Sequence, residues 1–117
     1  MFTTIPVQTN ARQELCLITD AVQQAIAASG VAEGLCVLFC PHTTAALTIN
    51  SYLDKDTAVD LQDEIDRLVP TRTNFKHIFD TPGDAAGHIK TSLTGIQLTL
   101  IVHESRAVIG ESQGIFF

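Results

Sequence analysis

Positive charge, cysteine and long apolar runs are all scarce in this chain, and each scarcity removes a class of function. Seven lysines and arginines stand against thirteen acids, a formal net charge of -6, and they are scattered. No basic stripe is there to neutralise a nucleic-acid backbone. Three cysteines, Cys16, Cys36 and Cys40, are too few and of the wrong parity for a disulfide framework. They fit a reducing compartment, where a thiol packs as a small hydrophobe. No apolar run approaches the roughly eighteen residues of a membrane span, and no charged N-terminal segment precedes an apolar one. A soluble, unexported, cytoplasmic protein is expected, with neither nucleic acid nor membrane as a partner.

What is present is enough for one core. The 117 residues are 45% hydrophobic and only 17% charged, which suits a single folded domain spanning residues 1–117. Phe2 to Gln8 alternates, Glu14 to Leu17 is short and half apolar, and the polar residues 9–13 lie between them. Two antiparallel strands joined by a turn are predicted there. Thr19 or Asp20 can cap the next element, a helix whose face is Val22, Ala25, Ile26 and Ser29 and which Gly30 stops. The run Leu35 to Cys40 reads as a buried strand.

The stretch Pro41 to Asn50 follows that strand and carries the first chemistry. Pro41 cannot donate to a sheet, so His42, Thr43 and Thr44 are placed where the strand has ended. Ala45, Leu47 and Ile49 then alternate with Ala46, Thr48 and Asn50, which predicts a second strand whose polar edge continues the His-Thr-Thr corner. A threonine-rich turn with one exposed histidine remains the plainer reading of these ten residues.

Asp54 or Asp56 can cap a helix with apolar positions Ala58, Leu61, Ile65 and Leu68, which Pro70 ends. Its acids Asp60, Asp63, Glu64 and Asp66 read as a solvated face. Residues 71–76 are irregular and His77 follows. Thr81-Pro-Gly-Asp84 then signals a turn and a cap, before a helix with Ala86, Ile89 and Leu93 on one face and Gly95 at its end. His88 flanks that face, the usual place of a boundary residue without function. Leu98, Leu100 and Val102 alternate with Thr99, Ile101 and His103, so a strand is predicted, turning at Glu104-Ser105-Arg106 into Ala107 to Ile109. The polar break at Gly110 to Gln113 suggests a bulge or a close approach of backbone to a ligand. An apolar end at Gly114-Ile-Phe-Phe117 would leave an open sheet edge, which suits either coverage by a neighbour or a further segment beyond Phe117.

Taken together, His-Thr-Thr-Ala-Ala-x-x-Ile-Asn at 42–50, Leu68-Val-Pro70, His77, Gly83-Asp-Ala-Ala-Gly-His-Ile89 and Ile109-Gly-x-x-Gln-Gly-Ile-Phe116 resemble the YjbQ-like family of secondary thiamine-phosphate synthases. The resemblance covers nearly the whole chain. It implies an α+β fold, a β/α sandwich of mainly antiparallel strands with two to three helices, assembled as a homotrimer with sites near the subunit boundaries. It also implies a divalent metal, zinc, or magnesium with a diphosphate substrate. The metal ligands implied by position are His42, His77 and His88. The implied activity is a transfer that joins a pyrimidine diphosphate to a thiazole phosphate with release of pyrophosphate. The chain departs from the family pattern where Ser51 replaces a usual glutamate and where Glu111-Ser112 replaces Thr-Trp.

Three neutral imidazoles facing one point would leave a zinc ion one open position for an oxygen. His42, Thr43, Thr44 and Asn50 are the expected catalytic group, binding an oxyanion or orienting the histidines. Gly110 and Gln113 are the expected cofactor-binding pair, and His103 is expected to take no part. The alternative is a non-catalytic protein that holds a metal or a small phosphorylated metabolite with the same residues.

Overall fold

The alternation at residues 97–103 becomes the central strand of the larger of two sheets. The computed structural model describes residues 1–117. Its elements are α1 (Thr19–Ser29), β1 (Gly34–Phe39), β2 (Thr48–Ser51), α2 (Lys55–Leu68), α3 (Pro82–Thr94), β3 (Gln97–His103), β4 (Arg106–Ala107) and β5 (Gln113–Phe116). β3 pairs antiparallel with β1, from Gly34 opposite Val102 to Phe39 opposite Gln97. It pairs with β4 on its other side. Glu104 and Ser105, at φ 51° and 62°, make the tight two-residue turn whose twist suits a hairpin. β2 and β5 form a second antiparallel pair, from Thr48 opposite Phe116 to Ser51 opposite Gln113. The fold is therefore α+β with antiparallel sheets, as expected.

α1 closes the core. Val22 and Ile26, one helical turn apart, pack with Leu100, Val102, Ala107 and Ile115. Gln23 fastens the helix to the sheet by accepting from the Ala107 backbone amide at 2.9 Å. The expected cap at Thr19 or Asp20 is not made: Ile18 precedes the first turn, and Thr19 Oγ1 accepts from Ile115 N instead. The two N-terminal strands are also absent. The chain before α1 makes one isolated bridge, Leu17 to Phe116. The Phe2 to Gln8 alternation joins no sheet edge and Phe2 stays 90% exposed, whereas residues 16–18 lie along β5 with Cys16 and Ile18 bonded to Phe117 and Ile115. Nor is β1 buried on both faces. Cys36 and Leu38 face the core, while Leu35, Val37 and Phe39 lie open beside Ile101 on β3.

The other two helices are locally well specified and loosely packed. Asp54 caps α2 by accepting from Asp56 N, and Thr81 Oγ1 caps α3 by accepting from Asp84 N at 3.1 Å, with Pro82 in its first turn. Yet no residue of α2 is buried, and of the expected α3 face only Ala86 is buried while Ile89 and Leu93 are exposed. Ala85, Ala86 and Thr91 are what α3 turns inward. Small residues allow this approach. Gly87 leaves room for Thr44, and Thr91 Oγ1 donates to Ala45 O. The loop between β1 and β2 is tied down at both ends, since Cys40 N and Leu47 N donate to Ile96 O and Gly95 O. The radius of gyration, 15.7 Å, exceeds the about 13 Å of a packed domain of this length because α2 and α3 stand off the core.

Candidate metal centre and adjoining cleft

Asp84 and His88 stand four residues apart on α3, a spacing that puts both side chains on one face. His77 reaches the same place from the irregular segment before the helix. His77 Nε2 and His88 Nε2 both lie within hydrogen-bond distance of Asp84 Oδ2, at 3.1 and 3.2 Å. The two rings meet edge to face with centroids 5.0 Å apart. One ligand atom from each of His77, Asp84 and His88 lies within 4.8 Å of the others. All three side chains are partly open to solvent. Two imidazole nitrogens and one carboxylate oxygen are a donor set suited to zinc and similar divalent ions, and side chains already gathered need little rearrangement to hold one.

His42 is outside this group. Of the expected trio, the structure brings His77 and His88 together, with Asp84 in place of the expected His42, for a geometric reason. Asp84 is one helical turn from His88, whereas His42 is held on the anchored loop after β1. It is exposed there and lines a cleft of about 1140 Å³ beside the metal cluster. Asp84 belongs to both.

The cleft runs between the segment before α1, the β2–β5 pair, α2 and α3. Its charged groups are mostly paired. Lys90 Nζ lies 2.5 Å from Asp66 Oδ1 and donates to Gln13 Oε1 at 2.5 Å, while Gln13 Nε2 donates back to Asp66. The Lys90 ammonium, first among several causes, holds the Asp66 carboxyl below the usual carboxylate range. Arg12 also lines the cleft, with its guanidinium against Gly83.

This fold and this cluster can now be set beside known proteins. The family model described as UPF0047 protein YjbQ-like matches residues 3–117. The chain belongs to this YjbQ-like family. A UPF0047 protein of Methanocaldococcus jannaschii is 39% identical over 111 residues, covering 95% of this chain and 78% of that one. YugU of Bacillus subtilis is 34% identical, over 100% of this chain and 87% of its own. Among solved structures, a YjbQ/UPF0047 family protein of Clostridium acetobutylicum superposes with a TM-score of 0.88 at 36% identity, covering 95% of this chain and 84% of that chain. A YbjQ-like protein of unknown function from Sulfolobus solfataricus reaches 0.87 at 31% identity, covering 94% and 78%.

Within this YjbQ-like framework the remaining expected site residues divide. Thr44 and Asn50 line the cleft with His42. Asn50 Oδ1 already accepts from Ser51 N. Thr43 is exposed and does not line the cleft. Gly110 and Gln113 do not line it either; Gln113 Oε1 accepts from Gly110 N at 2.7 Å, so the pair closes its own turn. The close backbone approach expected nearby occurs at Gly114, where a Cβ would lie 2.7 Å from Leu17 and 2.9 Å from Tyr52. It accommodates side chains of this chain. His103 pairs with Glu33, remote from the cluster. Sequence reasoning did not single out Asp84 beside the histidines, and its four-residue spacing to His88 is the signal that could have found it. Arg12, Asp66 and Lys90 carried no such local signal. No helix is long and apolar enough to cross a membrane.

Proposed function

We propose that His77, Asp84 and His88 hold a divalent metal, zinc in the first instance and magnesium where the substrate is a diphosphate, and that the adjoining cleft takes a small phosphorylated metabolite. The gathering of two imidazoles around Asp84, which itself lines the cleft, is the observation that carries this reading. A metal there would supply positive charge to a phosphate or diphosphate oxygen. The protein's own groups do the rest. His42, Thr44 and Lys90 line the space in which the organic parts of a substrate would sit.

The reaction proposed, on the family resemblance, is of the thiamine-phosphate synthase type. The thiazole nitrogen gives its electron pair to the methylene carbon of the pyrimidine, and the bond from that carbon to the diphosphate oxygen breaks. Pyrophosphate leaves with that electron pair. Binding without turnover is the second reading, favoured because Asn50, Asp66 and Gln13 are already engaged with groups of this chain.

A homotrimer is part of the proposal. The single chain exposes 8006 Å², about 1800 Å² more than is typical of a monomer of this mass. That excess is of the order that stable interfaces bury. The open row Leu35, Val37, Phe39 and Ile101 is apolar enough to be such an interface.

One zinc per chain after purification without added metal, and turnover of the two precursors, are the expected results. His88→Ala should lower zinc affinity at least about a hundredfold, beyond what loss of an outer partner usually costs, and His42→Ala should change it little. Zinc uptake that survives His88→Ala undiminished would overturn the metal site. A zinc-loaded protein without turnover would leave the binding reading standing.

A further inference from the structure

We propose that Arg12 is the anion-binding residue of the cleft, presenting its guanidinium to a phosphate or diphosphate group beside the first turn of α3. The inference deepens the reading of the cleft as a phosphometabolite site and rests on it. Three observations carry it.

The first is that Arg12 is a cation without a partner. It forms no ion pair, and no side-chain hydrogen bond of the protein involves it. Asp66, a carboxylate near enough to feel it, has Oδ1 engaged by Lys90 and Gln13. Asp84, the acid of the adjacent helical turn, receives both histidines. The guanidinium therefore keeps its planar fork of donors free, the arrangement that takes two phosphate oxygens at once.

The second is where the fork lies. A Cβ on Gly83 would collide with Arg12 Nη2, so the bare glycine is what lets the guanidinium rest against the start of α3. A helix start carries partial positive charge, which Asp84 in the first turn partly offsets, and the guanidinium adds a full positive charge beside it. An anion in the cleft would meet both at once.

The third is convergence. In a chain with a net charge of -6 and seven basic residues, Arg12 and Lys90 both line this cleft, which Thr81 and Asp84 also line. Lys90 is held by Asp66 and Gln13, so of the two cations Arg12 is the one left for a ligand. The substrate class that fits is a small molecule bearing a phosphate or diphosphate.

The test is calorimetric binding of inorganic pyrophosphate to the full chain with metals removed by a chelator, so that anion and metal binding are read apart. Wild-type protein should bind. Arg12→Gln should weaken binding about tenfold or more, Arg12→Lys should fall between because it keeps charge and loses the fork, and Arg106→Gln, a cation outside the cleft, should match wild type. Binding that Arg12→Gln leaves unchanged, equal losses in Arg12→Gln and Arg106→Gln, or no pyrophosphate binding by wild type would each overturn the inference. Zinc uptake is measured separately in the same variants. Loss of the metal reading with pyrophosphate binding still dependent on Arg12 would leave this inference in place.

Discussion

The half of the molecule built on α1 and the three-stranded sheet is packed by its own residues; the half built on α2 and α3 is not. In the first, Val22 is completely buried and packs with Ile26, Leu100, Val102 and Ala107, and β5 adds the completely buried Ile115 to the same core. In the second, the helices are capped as firmly as any, yet α2 buries nothing and Leu68 and Leu93 remain mostly exposed. The cluster of His77, Asp84 and His88 lies in this second half, and the cleft opens between it and the rest of the chain. A helix can therefore be locally well specified and still depend on something outside its own chain, or on a ligand, for packing. Sites gain from such looseness, because ligand entry needs space that a finished core does not leave.

The largest test of this contrast exchanges equal volumes in the two halves. Ile115→Ala empties a fully buried position and should cost about 2–5 kcal/mol in urea unfolding. Ile65→Ala, on the half-buried face of α2, should cost on the order of 1 kcal/mol at concentrations low enough to keep chains apart. Equal costs would show that the second half is packed after all. A smaller effect on the single chain is expected from Leu35→Glu. Leu35 is 68% exposed, so the substitution should change the stability of the isolated chain by no more than about 0.5 kcal/mol. The sedimenting species should nonetheless fall from trimer to monomer, because a charge would enter the proposed interface. A trimer that persists in Leu35→Glu would move the interface elsewhere.

What could be read from residues alone follows the same division. Asp54, Pro70, Thr81 and Gly95 act on their own helix ends, so α2 and α3 were legible at both boundaries. The alternation of β3 was legible because the sheet buries one of its faces. Phe2 to Gln8 alternates as well, but pairing needs an edge, and no local signal says whether one is free. The site shows both cases. His88 and its neighbour Asp84 are joined by helix geometry, while His77 arrives only through the path of the preceding segment. Thr81-Pro-Gly-Asp84 reads as a cap, and it is one; that correct reading hid the second use of the Asp84 carboxylate. Lys90 and Gln13 are 77 positions apart, a separation only the fold can close.

The smallest effect expected concerns two thiols on different segments of the chain. Cys16 lies in the segment leading from the cleft to α1, and its Sγ donates to Glu14 Oε1 at 3.0 Å. Burial first, then that hydrogen bond and the Glu14 charge, push its pKa from 9.0 up to about 11. The fold favours the protonated thiol, so this contribution to stability is present below pH 9 and is lost as pH rises through about 11. At pH 8 the thiolate, the form that reacts, should be roughly a hundredfold scarcer than in the unfolded chain. Alkylation of Cys16 followed by peptide mass spectrometry should slow by that factor in native protein. Glu14→Gln should restore part of the rate and no more, since burial, the leading cause, remains. Cys36, on β1 in the packed half, is raised by burial alone and should not respond to Glu14→Gln. If Glu14→Gln quickened Cys36 as much as Cys16, the variant would be loosening the whole chain, and the local origin of the Cys16 shift would be lost.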